Sequence, residues 1–106
     1  MKILLTGSNG FLGKQLSQTL QKNYKLFTLS QSNASYNVNL AEFVPVFSEK
    51  FDLVIHSAGL AHSVPKSKIE SQRFFDVNVT GTINLLKGFS GLNRPKMFVF
   101  ISSVSV

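Results

Sequence analysis

The chain of 106 residues is 43% hydrophobic, with ten Phe, no Cys, and eleven Lys+Arg against five Asp+Glu, for a formal net charge of +6. That content supports one globular domain spanning residues 1–106, while the missing cysteines exclude disulfide scaffolds, thiolate nucleophiles and cysteine-ligated metal sites, and His56 and His62 alone make no metal site. No apolar run approaches the roughly 20 residues of a membrane span and the N-terminus has no signal-peptide profile, so a soluble, cytoplasmic protein without membrane contact is expected.

Lys2–Thr6 reads as a first strand, and Thr6-Gly7-Ser8-Asn9-Gly10-Phe11-Leu12-Gly13 follows it directly. In that position the glycines suit a dinucleotide phosphate clamp. Gly7 permits a tight turn off the strand, Gly10 lets backbone approach a pyrophosphate, and Gly13 lets helix and sheet pack closely. A helix with Leu12, Leu16 and Leu20 on one face is predicted next, with Asn23 as its stop, and its free N–H groups would meet the anion. This combination points to a nicotinamide cofactor.

A second strand, Lys25–Leu29, leads into the polar stretch Ser30–Asn37, too short for a crossover helix, so a short third strand near Tyr36–Val38 is reached by a loop alone. Ala41–Phe47 is predicted as one or two helical turns, broken at Pro45 because proline cannot donate the interior helix bond. Asp52–His56 is the next strand, Lys68 to about Phe89 a long helix with Phe74, Phe75, Val77, Leu85 and Leu86 at apolar positions, and Met97–Ser102 a last strand. The continuous apolar runs Leu53-Val54-Ile55 and Met97-Phe98-Val99-Phe100-Ile101 suit parallel strands buried on both faces. The expected architecture is α/β: a Rossmann-type doubly wound parallel sheet in the order 3-2-1-4-5. That order leaves Met97–Ile101 on an open hydrophobic edge, so self-association into a homo-oligomer is expected.

Several residues have plainer readings. The phenylalanines, among them Phe43, Phe47, Phe74, Phe75, Phe98 and Phe100, are expected in the core rather than as stacking platforms for nucleic acid. His56 ends a buried strand and reads as a packed histidine, not a catalytic base, and Ser63 and Lys66 read as solvated loop residues. Lys2, Lys14, Lys22, Lys25, Lys50, Lys66, Lys68, Arg73, Lys87, Arg94 and Lys96 form no dense basic run. They are read as mostly solvated surface, a few steering an anionic cofactor or substrate, so no nucleic-acid partner is expected.

Four segments, taken in order, resemble the extended short-chain dehydrogenase/reductase superfamily in its NAD-dependent epimerase/dehydratase branch. Thr6–Gly13 is similar to that family's TGxxGxxG loop, and His56-Ser57-Ala58-Gly59-Leu60-Ala61 to its H-x-A-G/A segment. Val77-Asn78-Val79-Thr80-Gly81-Thr82 is similar to its VNVxGT motif, and Phe100–Val106 to the SS-x-x-VYG segment. The resemblance implies the NAD(P)-binding part of a nucleotide-sugar epimerase, dehydratase or 4-ketoreductase, with NAD or NADP as cofactor and a UDP- or dTDP-sugar as partner. It further implies that Gly7, Asn9, Gly10, Phe11, Leu12 and Gly13 bind the cofactor at its pyrophosphate. Ser57, Ala58 and Gly59 would border its riboses, with Val77 touching it from the helix. Ser103 matches the family's catalytic serine, whose hydroxyl orients the sugar oxygen for hydride transfer. His62 falls where some members carry a substrate-contacting histidine.

Two departures stand against the pattern. Where NAD-binding members place an Asp on the ribose hydroxyls, this chain has Ser30 and then Gln31, which could hydrogen-bond either a ribose hydroxyl or a phosphate; Asn37, followed by Val38, takes the place of an acidic residue beside adenine. The family's YxxxK pair is also missing, since Thr28 and Leu40 stand four residues after Tyr24 and Tyr36. That pair and the sugar-gripping domain are expected beyond Val106, and these residues alone are not expected to turn over substrate. The reading from a different class is a non-catalytic dinucleotide sensor that keeps the fold and has lost the reaction.

Overall fold

The computed structural model describes residues 1–57 and 68–101, apart from the side chains of Arg73, Phe74, Val77 and Leu92. Among these residues five strands, β1 (Lys2–Thr6), β2 (Lys25–Ser30), β3 (Tyr36–Asn37), β4 (Leu53–His56) and β5 (Met97–Phe100), pair in parallel in the order β3-β2-β1-β4-β5. The doubly wound order expected from the alternation is therefore the one observed. Strand ends differ from expectation by a residue or two: β2 gains Ser30, and Val38, Asp52 and Ile101 fall outside β3, β4 and β5.

Alternate residues of the central strands face opposite sides of the sheet, which is why β1 and β4 are apolar without interruption. Leu4, Leu29 and Val54 join Leu40, Phe51, Leu85 and Phe89 in one core cluster. Ile3, Leu5 and Ile55 form the other, covered by Leu16 and Leu20 of α1 (Phe11–Leu20). In the first cluster Phe51 meets the edges of Phe27 at 5.4 Å and Phe47 at 5.5 Å between ring centres, and Phe47 stacks on Phe89 at 4.7 Å.

The aromatic core is not composed as expected. Phe47 and Phe98 pack against it, but Phe43, Phe75 and Phe100 are each more than half exposed, while Phe51, Phe27 and Phe89 supply the rings instead. Among the described residues Phe100 lies on the edge strand of the sheet and Phe43 in the connection after β3, with no layer over either. That connection is not helical through Phe47 either. Asn39 accepts from Glu42 N–H and Phe43 N–H for a single turn, and the chain then runs without regular structure into Val44-Pro45-Val46, since the residue before proline is pushed towards extended backbone.

The long helix is present but divided. It runs as α2 (Lys68–Phe75), a π-turn over Asp76–Thr80, and α3 (Gly81–Lys87), with Gly81 N–H donating to Asp76 O. One extra residue in a turn rotates everything after it by about 100°. In this frame Gly81 and Leu85 are buried and Asn84 donates to Leu40 O at 2.7 Å, whereas Ile69 of α2 is exposed. No helix among the described residues is long and apolar enough to cross a membrane.

Candidate functional site

The carboxyl ends of β1, β2 and β4 converge on the turn between β1 and α1. Gly7 leaves β1 at φ 68, a left-handed value, and its N–H donates to Leu29 O at 3.0 Å, fastening the turn to the end of β2. Gly10 N–H then donates to Gly7 O at 3.0 Å. Gly13 is required for a different reason: a Cβ there would lie 1.9 Å from Gly7 O, so α1 can approach the turn only without a side chain.

α1 begins with glycine as its N-cap, no side-chain cap and no acidic residue in its first turn. Lys14 N–H, donating to Gly10 O at 2.9 Å, makes its first bond, which leaves the N–H groups of Phe11, Leu12 and Gly13 without intrahelical acceptors at the positive end of the helix dipole. The Ser8 hydroxyl beside them is buried and unpartnered among the described residues. Phe11 is 84% exposed, and Leu12 is also exposed rather than joining Leu16 and Leu20 in the core. Bare amides, an orphaned hydroxyl and a cradle that a Cβ would obstruct fit an anion such as a pyrophosphate.

Asn9 joins this turn to the segment after β2. Its side-chain amide donates to Ser30 Oγ at 3.1 Å and to Ser32 O at 2.6 Å. Gln31, between them, is exposed. Asn37 lies across the same loop, its Oδ1 accepting Ala34 N–H at 3.1 Å, while Val38 N–H donates to Ser30 O and the Val38 side chain packs on the core. Gly7, Asn9, Ser30 and Ser32 thus form one connected unit that motif spacing does not reveal.

At the end of β4, Ser57 N–H donates to Thr6 Oγ1 at 3.0 Å and Ser57 Oγ–H to Thr6 O. The His56 ring lies between Thr6 Oγ1 at 2.6 Å and Thr82 Oγ1 at 3.0 Å, and the Thr82 hydroxyl donates to Asn78 O at 2.8 Å. Because a hydroxyl has one proton, Thr82 must accept from His56 Nε2–H, and Thr6 O–H then donates to Nδ1. Burial pushes the imidazole pKa down from 6.5 to about 4, so the ring is neutral near pH 7. It is a packed, fully partnered histidine that ties β1 and β4 to the π-turn. Ala58, Gly59, His62, Ser63, Lys66, Ser103 and the side chains of Phe74 and Val77 lie outside the described residues.

The family model described as "NAD dependent epimerase/dehydratase family" matches residues 3–106. Among curated proteins, the UDP-glucose 4-epimerase of Pisum sativum is 35% identical over 132 residues, covering 99% of this chain and 37% of that protein. The GDP-6-deoxy-D-talose 4-dehydrogenase of Aggregatibacter actinomycetemcomitans is 32% identical over 108 residues, covering 99% and 36%. The chain therefore spans little more than a third of the length of these relatives. Of solved structures, the human epimerase family protein SDR39U1 (isoform 2) with NADPH superposes at a TM-score of 0.76 and 20% identity, over 94% of this chain and 36% of that one.

Proposed function

The chain belongs to the NAD-dependent epimerase/dehydratase family, and from that premise we propose that it forms the cofactor-binding part of an NAD(P)-dependent enzyme that epimerises, dehydrates or reduces a nucleotide sugar. The observation that carries this reading is the turn from Gly7 to Gly13, with its unpartnered amides and the close approach that only a glycine at position 13 permits. The N–H groups of Phe11 and Leu12 hold the pyrophosphate there, with Gly10 leaving space for it. Ser30 and Gln31 meet the adenosine ribose and Asn37 and Val38 border the adenine, while the match to the family's motifs assigns Ser57, Ala58 and Gly59 to the adenosine and nicotinamide riboses and Val77 to a further cofactor contact. Ser103 donates its hydroxyl to the sugar oxygen and so orients the reacting carbon. A bound nicotinamide supplies hydride exchange with that carbon. Neither tyrosine is followed by a lysine at the fourth position, so the proton-transferring pair comes from outside these residues.

Short connections between its elements favour the dehydrogenase and reductase arm of the class. Its alignment with the pea epimerase takes 132 positions, gaps included, so that relative has insertions this chain lacks, whereas the alignment with the talose 4-dehydrogenase takes only 108. The direct link from β2 to β3 through residues 31–35, without a helix, is one place where this chain economises.

The test is a fluorescence titration with NADH and NADPH of the wild type and of Gly10→Val. A Cβ at Gly10 stands 3.3 Å from Gly7 O, a tight contact from which the turn must give by a few tenths of an ångström, while the extended backbone there suits valine and its branches cover the amides. Saturable binding by the wild type and none by the variant is expected, with a variant that is less stable but still folded by circular dichroism. A wild type that binds neither dinucleotide, or a variant that binds as well as wild type, refutes the assignment.

A further inference from the structure

Hydrogen bonding at the end of β2 is lopsided. Its acceptors are occupied: Leu29 O by Gly7 N–H at 3.0 Å, Ser30 O by Val38 N–H at 2.9 Å, and Ser32 O by the Asn9 amide at 2.6 Å. Its donors are left over. Among the described residues the backbone N–H groups of Gln31, Ser32 and Asn33 and the side chains of Gln31 and Ser32 make no hydrogen bond. Ser30 Oγ already accepts from Asn9 at 3.1 Å, which leaves its single proton for an outside acceptor. Asn33 sits at φ 53, a left-handed bend of the kind at which successive N–H groups converge on an anion.

The lack of carboxylates points the same way. The first acidic residue of the chain is Glu42, so β1, α1, β2, β3 and their connections contain no carboxylate; Lys2 and Lys25 stand at the amino ends of β1 and β2, away from this segment, and Lys2 pairs with Glu49. A ribose 2′,3′-diol offers two donors and is gripped by a carboxylate. A 2′-phosphate offers only acceptors, and a carboxylate beside it would repel it. The segment after β2 supplies donors without a carboxylate.

Resting on the cofactor role proposed above, we propose that this segment reads a 2′-phosphate and that the protein takes NADP(H) in preference to NAD(H). Ser30, Gln31 and the amides of residues 31–33 are the donors, and Asn9 is the positioning residue that holds Ser30 and Ser32 against the pyrophosphate turn. Hydrogen bonds to a charged group are strong enough for at least a tenfold difference, roughly, in dissociation constant.

The experiment titrates the intact protein with NADPH and NADH, and repeats the titrations on Ser30→Asp and Gln31→Glu. An aspartate at position 30 can accept the Asn9 amide as the serine does, and Gln31 is exposed without partners, so Gln31→Glu reports even where Ser30→Asp fails to fold. Tighter binding of NADPH by the wild type by about tenfold or more, with the ratio narrowed or reversed in either variant, is the result expected. NADH binding as tightly as NADPH, or ratios unmoved in the folded variants, overturns the inference and leaves the cofactor role standing. Binding of neither dinucleotide overturns both.

Discussion

A buried imidazole should make the stability of this protein fall on mild acidification. Folded His56 stays neutral down to about pH 4, because protonation would place a charge among Thr6, Thr82 and the sheet and would put a proton on Nδ1, where Thr6 O–H now donates. In the unfolded chain the ring protonates near pH 6.5, roughly the value of a free histidine. Between those values the unfolded state binds more protons, so stability rises with pH and is lost as pH falls from 6.5 towards 4. The slope is about 1.4 kcal/mol per pH unit and the whole loss on the order of 3 kcal/mol, a large share of the roughly 5–15 kcal/mol typical of a domain. Asp52, whose carboxyl is held below its ordinary value chiefly by the Lys2 N–H, contributes stability that is lost only in stronger acid, below about the usual carboxylate range.

Urea unfolding followed by circular dichroism, from about pH 7 to about pH 4.5, reads this slope in wild type and in His56→Gln, which cannot titrate. The wild-type midpoint should fall with pH and the variant midpoint should stay nearly level. Nitrogen-15 spectra of the ring add a check that needs no variant: a proton on Nε2 and no titration near neutrality. A wild-type midpoint that is flat over this range, or a ring that titrates near 6.5, refutes the reasoning.

Two further outcomes follow from packing. Gly13→Ala forces its methyl against Gly7 O, a backbone atom that no rotamer change moves, and should cost ~3 kcal/mol, lowering the melting temperature by on the order of 10 °C. Phe51→Ala empties the centre of the aromatic cluster formed with Phe27, Tyr36, Phe47 and Phe89 and should cost about 3–5 kcal/mol in calorimetry or denaturant unfolding. A loss below about 1 kcal/mol in either variant contradicts the packing described.

What could be read from residues alone was whatever repeats locally. The strands announce themselves as unbroken apolar runs, and Gly7, Gly10 and Gly13 as a turn between a strand and a helix, because each signal lies within a few residues of itself. The π-turn at Asp76–Thr80 escapes because an inserted residue leaves composition unchanged and only shifts the helical frame. Exposure of Phe43, Phe75 and Phe100 escapes too, since hydrophobicity does not say which ring a neighbouring layer will cover. The polar network is harder still. Thr6, His56 and Thr82 meet across β1, β4 and α3, and nothing in their spacing forecasts a proton order running from Ser57 N–H through the imidazole to Asn78 O. The bridge from Asn9 to Ser30 and Ser32 is of the same kind. Each joins the carboxyl ends of neighbouring strands, set level by the parallel register, to a turn or helix beside them, and in an open α/β sheet those carboxyl ends form the crevice in which ligands bind. Glycines therefore mark where such a crevice lies, whereas what it can discriminate depends on which donors and acceptors the long-range bonds leave unspent.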